Sequence, residues 1–200
     1  MRSSEIKIGH IYFVNFDPVE EFEFNNKHLA VVLKKNVDKR TFIVMPLTSS
    51  DRGEGINKIR LDNVIGLPSN LRNKKTYAVY NQVRTLNANR FSNLKEKDKT
   101  VKAKIDDKDR VILYEMSIKE LLAGVDIDFR IKIMKNLYQQ EVVNKSIQLA
   151  YNILRCQKAN EPYVSYEKEI KLLLKDISYT LSQKDIDNGV DKILIDALQN

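Results

Sequence analysis

Two hundred residues, 42% of them apolar, are enough for one large or two small packed domains and exclude a chain disordered throughout. A single cysteine, Cys156, excludes an internal disulfide, and no Cys/His cluster at ligand spacing supports a metal site, so the expectation is a reducing, cytoplasmic compartment. No apolar run approaches a membrane span or the core of a signal peptide, so a soluble chain without membrane contact is expected.

The formal net charge of +7 is concentrated. Residues 27 to 104 carry 18 Lys/Arg against 6 Asp/Glu, whereas residues 127 to 200 carry 11 against 10. Such a basic region attracts a polyanion through Coulomb forces and counterion release, although a merely solvated basic surface has the same composition.

In chain order, "IKIGHIYFVNF" (residues 6–16) has the β-branched and aromatic content of a buried strand, which Asp17-Pro18 ends. "LAVVL" and "TFIVMPLT" are two further strands joined by "KKNVDK", whose Asn and Asp suit a hairpin turn. Short strands follow at "NKIRL" and "TYAVYNQVRTL", separated by the turn-rich "DNVIGLPSNLRNKK". Several short strands at close spacing predict a small antiparallel barrel.

At Asp106 the period changes. "DDKDRVILYEMSIKELLAG" places acids in a first turn, apolar residues at Ile112, Met116 and Leu121, and Gly124 at the end, which predicts a helix. Beyond it the stripe Val143, Ile147, Ala150, Leu154 predicts a long helix. "CQKANEPY" is the expected break, and Tyr166, Ile170, Leu173, Ile177, Leu181 predict a second helix. A third is expected from Ser182, with Asp185 in a shortened capping box and a stripe through Ile186, Val190, Ile193 and Ala197. The reading is α+β: a basic β barrel with a following helix over residues 1–125, then an all-α extension of about three helices over 126–200.

Three stretches carry a resemblance. "IGHIYFVNFDPVEEFE", "IVMPLTSS" and "VYNQVRTL", in this order and followed by a helix, are similar to the opening strand and loop, the Pro-x-Thr-Ser strand and the Gln-x-Arg-Thr strand of the PemK/MazF family of toxins from toxin-antitoxin systems. The resemblance covers about residues 6 to 123. It implies a CcdB/PemK-like barrel, a homodimer, a cognate antitoxin as partner, and metal-independent, cofactor-free, sequence-selective cleavage of single-stranded RNA. The attacking group would be the substrate's own 2′-hydroxyl, with protein groups acting as acid, base and charge stabiliser.

By the same resemblance Thr48 and Ser49 match the family's Thr-Ser position, where hydroxyls would donate to a phosphate, while the residues alone also fit ordinary turn chemistry. Arg84 would grip a phosphate through its planar fork. His28 stands where the family carries its catalytic Arg, and here the pair is His28-Leu29 rather than Arg-Pro. Two readings stay open: an imidazole acting as general acid or base, or a site that has lost its charge. Glu23 matches the loop Glu, and with Lys27, Lys74, Lys75, Asn81 and Gln82 it completes the expected RNA-binding set. Asn81 and Val79 depart from relatives that carry an acid and an Arg there. Tyr77, Tyr80 and Phe91 are either base-stacking platforms or core. The acid-rich loop from Val19 to Lys27 is expected to flank the RNA groove, with Glu20, Glu21 and Glu23 restricting entry or pairing with nearby cations until substrate competes. The alternatives are a decayed PemK-fold RNA-binding or regulatory protein and a CcdB-type gyrase poison; the latter is disfavoured by the lack of Trp and the ending "DALQN".

Overall fold

A computed structural model describes residues 1–178 except Phe22, together with Thr180 and Ser182. The third helix expected from Ser182 onward lies outside the described residues. The chain divides into two compact units, Met1–Ala123 and Gly124–Asn200.

In the first unit, β1 (His10–Asn15), β2 (Lys27–Lys35) and β3 (Thr41–Thr48) form an antiparallel meander in which Ile11 faces Val31 and Val31 faces Met45. The β2–β3 turn is held by Asp38, whose carboxylate accepts from the Arg40 and Thr41 N–H groups and the Thr41 hydroxyl. This is the local bonding that makes Asp a turn residue. After them come β4 (Lys58–Leu61), β5 (Val64–Ile65), the single-turn α1 (Ser69–Arg72), β6 (Thr76–Val79), β7 (Arg84–Asn87), β8 (Phe91–Ser92), β9 (Leu94–Glu96), β10 (Lys99–Val101), β11 (Ala103–Ile105) and α2 (Asp107–Leu121).

The main sheet runs β4-β6-β3-β2-β1-β11-β5, with β7 also on β3 and β8 also on β1, while β9 and β10 make a separate ribbon. Its two ends, β4 and β5, are separated in the chain only by Asp62 and Asn63. The sheet must therefore curl until its ends nearly meet, giving a nearly closed antiparallel barrel followed by a helix. Two contacts hold this seam. The Asn63 N–H donates to the buried Asp109 carboxylate of α2 at 3.2 Å, and burial pushes that carboxyl's pKa up. Gly66, at φ +81°, lies so close to the backbone that a Cβ there would be 2.2 Å from the Lys102 carbonyl oxygen, so only glycine lets β5 dock beside β11.

The central strands bury both faces. Val31, Leu33, Met45 and Leu47 join Leu94 and Leu113 in one cluster, and Ala30, Val32, Phe42 and Val44 join Phe16, Leu86 and Phe91 in another. Burial on two sides is why these strands read as continuous apolar runs rather than alternations. Tyr77 and Phe91 are 1% and 3% exposed, so they are core and not stacking platforms.

One strand expectation fails. "TYAVYNQVRTL" is two strands, β6 and β7, interrupted by a 3-10 turn at Tyr80–Gln82, so Asn81 and Gln82 are turn residues. Both strands pair with β3, at Leu47–Thr48 and at Thr41–Val44. Between those ladders β3 has two residues, Met45 and Pro46, against five from Val79 to Val83, and the turn takes up the excess.

Helix α2 starts on Asp106, whose carboxylate accepts from the Asp109 N–H at 2.7 Å, and its Tyr114 hydroxyl donates to the Leu33 carbonyl. In the second unit α3 (Ile127–Ala159) is capped by Asp126, which accepts from the N–H groups of Asp128 and Phe129. It runs through the first part of the expected break and ends at left-handed Asn160, two residues before Pro162. α4 (Val164–Asp176) packs back on α3. The buried side of α3 is Val142, Ser146, Ile147 and Leu149, and Leu154 of the expected stripe is exposed.

Candidate functional site

The edge where β2 begins and β3 ends forms a groove of about 210 Å³ lined by Lys27, His28, Thr48, Ser49, Lys74 and Lys75 around an apolar floor of Phe13, Leu29, Leu47, Leu67 and Leu71. The register explains the first convergence. Leu29 pairs with Leu47, so the next residues outward, His28 and Thr48, are cross-strand neighbours. Lys74 and Lys75 arrive from the segment between α1 and β6, and β6 brings them there because Tyr77 pairs with Thr48.

Each polar group has a defined environment. The His28 ring stands edge-on to Phe24, centroids 4.6 Å apart. Burial lowers its pKa below the ordinary value, and the nearby Asp17 carboxylate offsets this in part. The imidazole is therefore neutral at pH 7 and able to accept a proton. The Thr48 hydroxyl oxygen accepts from the Ser50 N–H at 3.2 Å, which orients it while its own proton stays available to donate. Lys27 lies over the Phe13 ring, 5.4 Å from its centroid. Among the described residues no carboxylate lies within ion-pair range of Lys27, Lys74 or Lys75.

The other expected site residues sit in a neighbouring groove of about 550 Å³ lined by Glu23, Asn81, Gln82, Arg84 and Arg90. Arg84 donates to the Glu23 carboxylate at 3.4 Å and to the Gln82 amide oxygen at 3.2 Å, and its guanidinium lies 5.7 Å from the Phe16 ring. The same Gln82 oxygen accepts from the Phe24 N–H at 3.3 Å. Between Arg84 and His28 stand the two rings of Phe16 and Phe24, 5.5 Å apart. The structure thus gathers His28, Thr48, Ser49, Lys27, Lys74 and Lys75 in one groove, and Glu23, Asn81, Gln82 and Arg84 in another. Val79 is buried core.

The loop between β1 and β2 joins the two grooves. Asp17 accepts from the Asn26 N–H at 2.9 Å, closing its base, and the Phe16 N–H donates to the Asn26 carbonyl. Arg90 donates through Nη1 to the carbonyls of Asn15, Phe16 and Asp17. Sequence reasoning gave no role to Phe24, Asp17 or the Arg90 clamp. Asp17-Pro18 signalled a turn, but nothing in the sequence says that Arg90, some 70 residues on, closes it. Chemically the first groove offers a neutral base, two hydroxyl donors and three ammonium groups, which suits a phosphodiester undergoing proton transfer.

Comparison with known proteins gives three results. A family profile described as "PemK-like, MazF-like toxin of type II toxin-antitoxin system" matches residues 7–113, more than half of the chain. No curated protein matches the sequence. Among solved structures, the chain is similar to MazF (Form-I) from Deinococcus radiodurans, with 19% sequence identity over 58% of this chain and 96% of that one and a TM-score of 0.43. With the family profile spanning nearly all of the barrel and the first half of α2, this chain belongs to the PemK-like, MazF-like toxins of type II toxin-antitoxin systems.

Proposed function

We propose that the protein is a sequence-selective, metal-independent endoribonuclease toxin that cuts single-stranded RNA by attack of the substrate's own 2′-hydroxyl. The observation that carries this reading is the convergence of His28, Thr48 and Ser49 under a rim of three lysines, in a groove whose lining holds no acid among the described residues. His28 takes the proton of the 2′-hydroxyl as that oxygen attacks the adjacent phosphorus. The Thr48 and Ser49 hydroxyls and the lysine ammonium groups stabilise the charge on the non-bridging oxygens. The P–O5′ bond breaks, leaving a 2′,3′-cyclic phosphate, and the departing oxygen takes a proton from water to become a 5′-hydroxyl, the hydroxide formed recovering the proton held on His28. Arg84, in the adjacent groove, holds a neighbouring phosphate after displacing Glu23. A homodimer in the cytoplasm, held in check by a cognate antitoxin, belongs to the same reading.

The test is incubation with a long mixed-sequence RNA in EDTA, with cleavage ends mapped and Thr48→Ala and His28→Ala run in parallel. Discrete cuts that disappear in both variants support the reading, and intact RNA under the wild type sinks it.

A second reading, a decayed binder that keeps the fold, is favoured by one observation. His28 occupies the place of the family's Arg and packs against Phe24. His28→Arg separates the two: a site that uses the imidazole loses cleavage, whereas a dead site of family geometry gains it.

A further inference from the structure

A second cavity of about 590 Å³ adjoins the His28 groove and shares two of its residues, Phe13 and Lys27. Its other walls are Met1, Glu5, Phe91, Ser92, Asn93, Lys95 and Thr100. Neither the catalytic reading nor the family match assigns anything to it. Lys95 and Thr100 belong to the β9–β10 ribbon, where they face each other across the ladder. Because side chains alternate along a strand, Leu94, Glu96, Lys99 and Val101 share the opposite face. That face is the inner one. Leu94 is 0% exposed in the barrel core, and the Glu96 carboxylate accepts from the Ser69 N–H at 2.9 Å at the start of α1.

The ribbon thus turns Glu96 towards the barrel, with Lys99 beside it on that face, and Lys95 outward. From Leu94 to Lys104 the chain carries Lys95, Lys97, Lys99, Lys102 and Lys104 against Glu96 and Asp98. All five lysines are exposed. The tip is a tight two-residue turn with both Lys97 and Asp98 at positive φ, the hairpin geometry that matches the twist of the paired strands. Glu5, the acid on the cavity wall, accepts from the Arg2 backbone N–H at 3.2 Å. The electrostatic field is felt nearby: the charges of Lys7, Lys104 and Lys102 join burial, the larger cause, in lowering the pKa of His10.

Resting on the RNA reading above, we propose that a single-stranded RNA lying in the His28 groove continues past Lys27 and Phe13 into this cavity and along the outer face of the β9–β10 ribbon. There Lys95 and Thr100 take a backbone phosphate outside the cleaved step. Continuity carries the argument, since Lys27 and Phe13 belong to both cavities and a chain leaving the first has a cationic, hydroxyl-bearing path ahead. The contacts are to phosphate and so add affinity without reading sequence.

The test uses fluorescein-labelled, 2′-O-methylated RNA oligonucleotides of graded length and mixed sequence, which bind without being cut, and the full chain as wild type, Lys95→Gln and Lys95→Arg. In the wild type, affinity rises with length beyond what the His28 groove can hold. Lys95→Gln removes that rise several-fold while leaving the shortest oligonucleotides unchanged, and its salt dependence falls by about 0.7 in log-log slope for each phosphate no longer neutralised. Lys95→Arg restores both. A length dependence and salt slope identical in wild type and Lys95→Gln overturn the proposal and leave the RNA reading standing. Binding of no RNA at any length overturns both. Labelled poly-glutamate whose affinity drops in Lys95→Gln while that of RNA does not would make the ribbon an acidic-protein surface and overturn the proposal as well.

Discussion

The two grooves flanking the β1–β2 loop differ in what their cations are doing. In the His28 groove, Lys27, Lys74 and Lys75 face no carboxylate among the described residues, and the orienting bond from Ser50 to Thr48 leaves a hydroxyl proton available. In the Arg84 groove both cations are engaged, Arg84 by Glu23 and Gln82, and Arg90 by three backbone carbonyls. One groove waits for an anion, and the other is already satisfied by the protein. Charge counted along a sequence cannot make this distinction, because an arginine that clamps a loop and a lysine that faces solvent contribute equally to it.

The comparison yields graded predictions. His28→Ala should cost about 10² to 10⁴ in cleavage rate, the range for a positioned base, and Thr48→Ala about 10² to 10³, the range for a donor to developing charge, both measured in single-turnover assays. A decrease of less than about tenfold would place the chemistry elsewhere.

Acid comes next. A step that needs neutral imidazole keeps its rate above the His28 pKa and falls about tenfold per pH unit below it. That pKa is depressed, so the fall should begin below about 6.5 and be absent in any residual activity of His28→Ala. The sign is the same for stability. Folded His28 binds fewer protons than the unfolded chain, so acid through this window also weakens the fold. A rate that rises on acidification would refute the assignment of base.

Arg90→Ala should lower stability by about 1 to 3 kcal/mol, as expected when a charged donor to several carbonyls is removed. It should also loosen the loop without touching the His28 groove directly. Chemical denaturation reads the first effect, and hydrogen exchange at the Asn26 N–H reads the second. Smallest of all, Glu23→Gln releases Arg84 from a partly exposed ion pair, worth up to about 1 kcal/mol, so RNA affinity should rise by no more than about fivefold. A fall in affinity would mean that Glu23 itself contacts the substrate.

Much of this fold was legible because it follows local rules. The β2–β3 hairpin showed two apolar runs around Asn and Asp, and α2 showed acids in its first turn and a closing glycine. The strands from Phe91 to Ile105 escaped notice because at two or three residues each they have no period to detect. The turn at Tyr80–Gln82 escaped because its cause is a mismatch with another strand: five residues, Val79 to Val83, stand against two on β3. The helix α3 continues through the first half of the expected break because Cys156–Ala159 contains no breaker; Asn160 and Pro162 supply it. For the site, family motifs pointed to His28, Thr48 and Ser49, which converge. They grouped Arg84 with these three, and only the rings of Phe16 and Phe24 reveal the separation.

Pro46 is buried in mid-strand, away from either groove's lining. With Met45 it is all that β3 offers between its two ladders, whereas the facing chain supplies five residues, Val79 to Val83, and the excess of three forms the turn that lifts Gln82 towards Phe24 before pairing restarts at Arg84. Removing one residue from that turn would shift Arg84 and the rest of β7 by one register step and turn each side chain to the opposite face. Selection acting on that groove would then be recorded in the length of the turn as well as in the residues that line the groove.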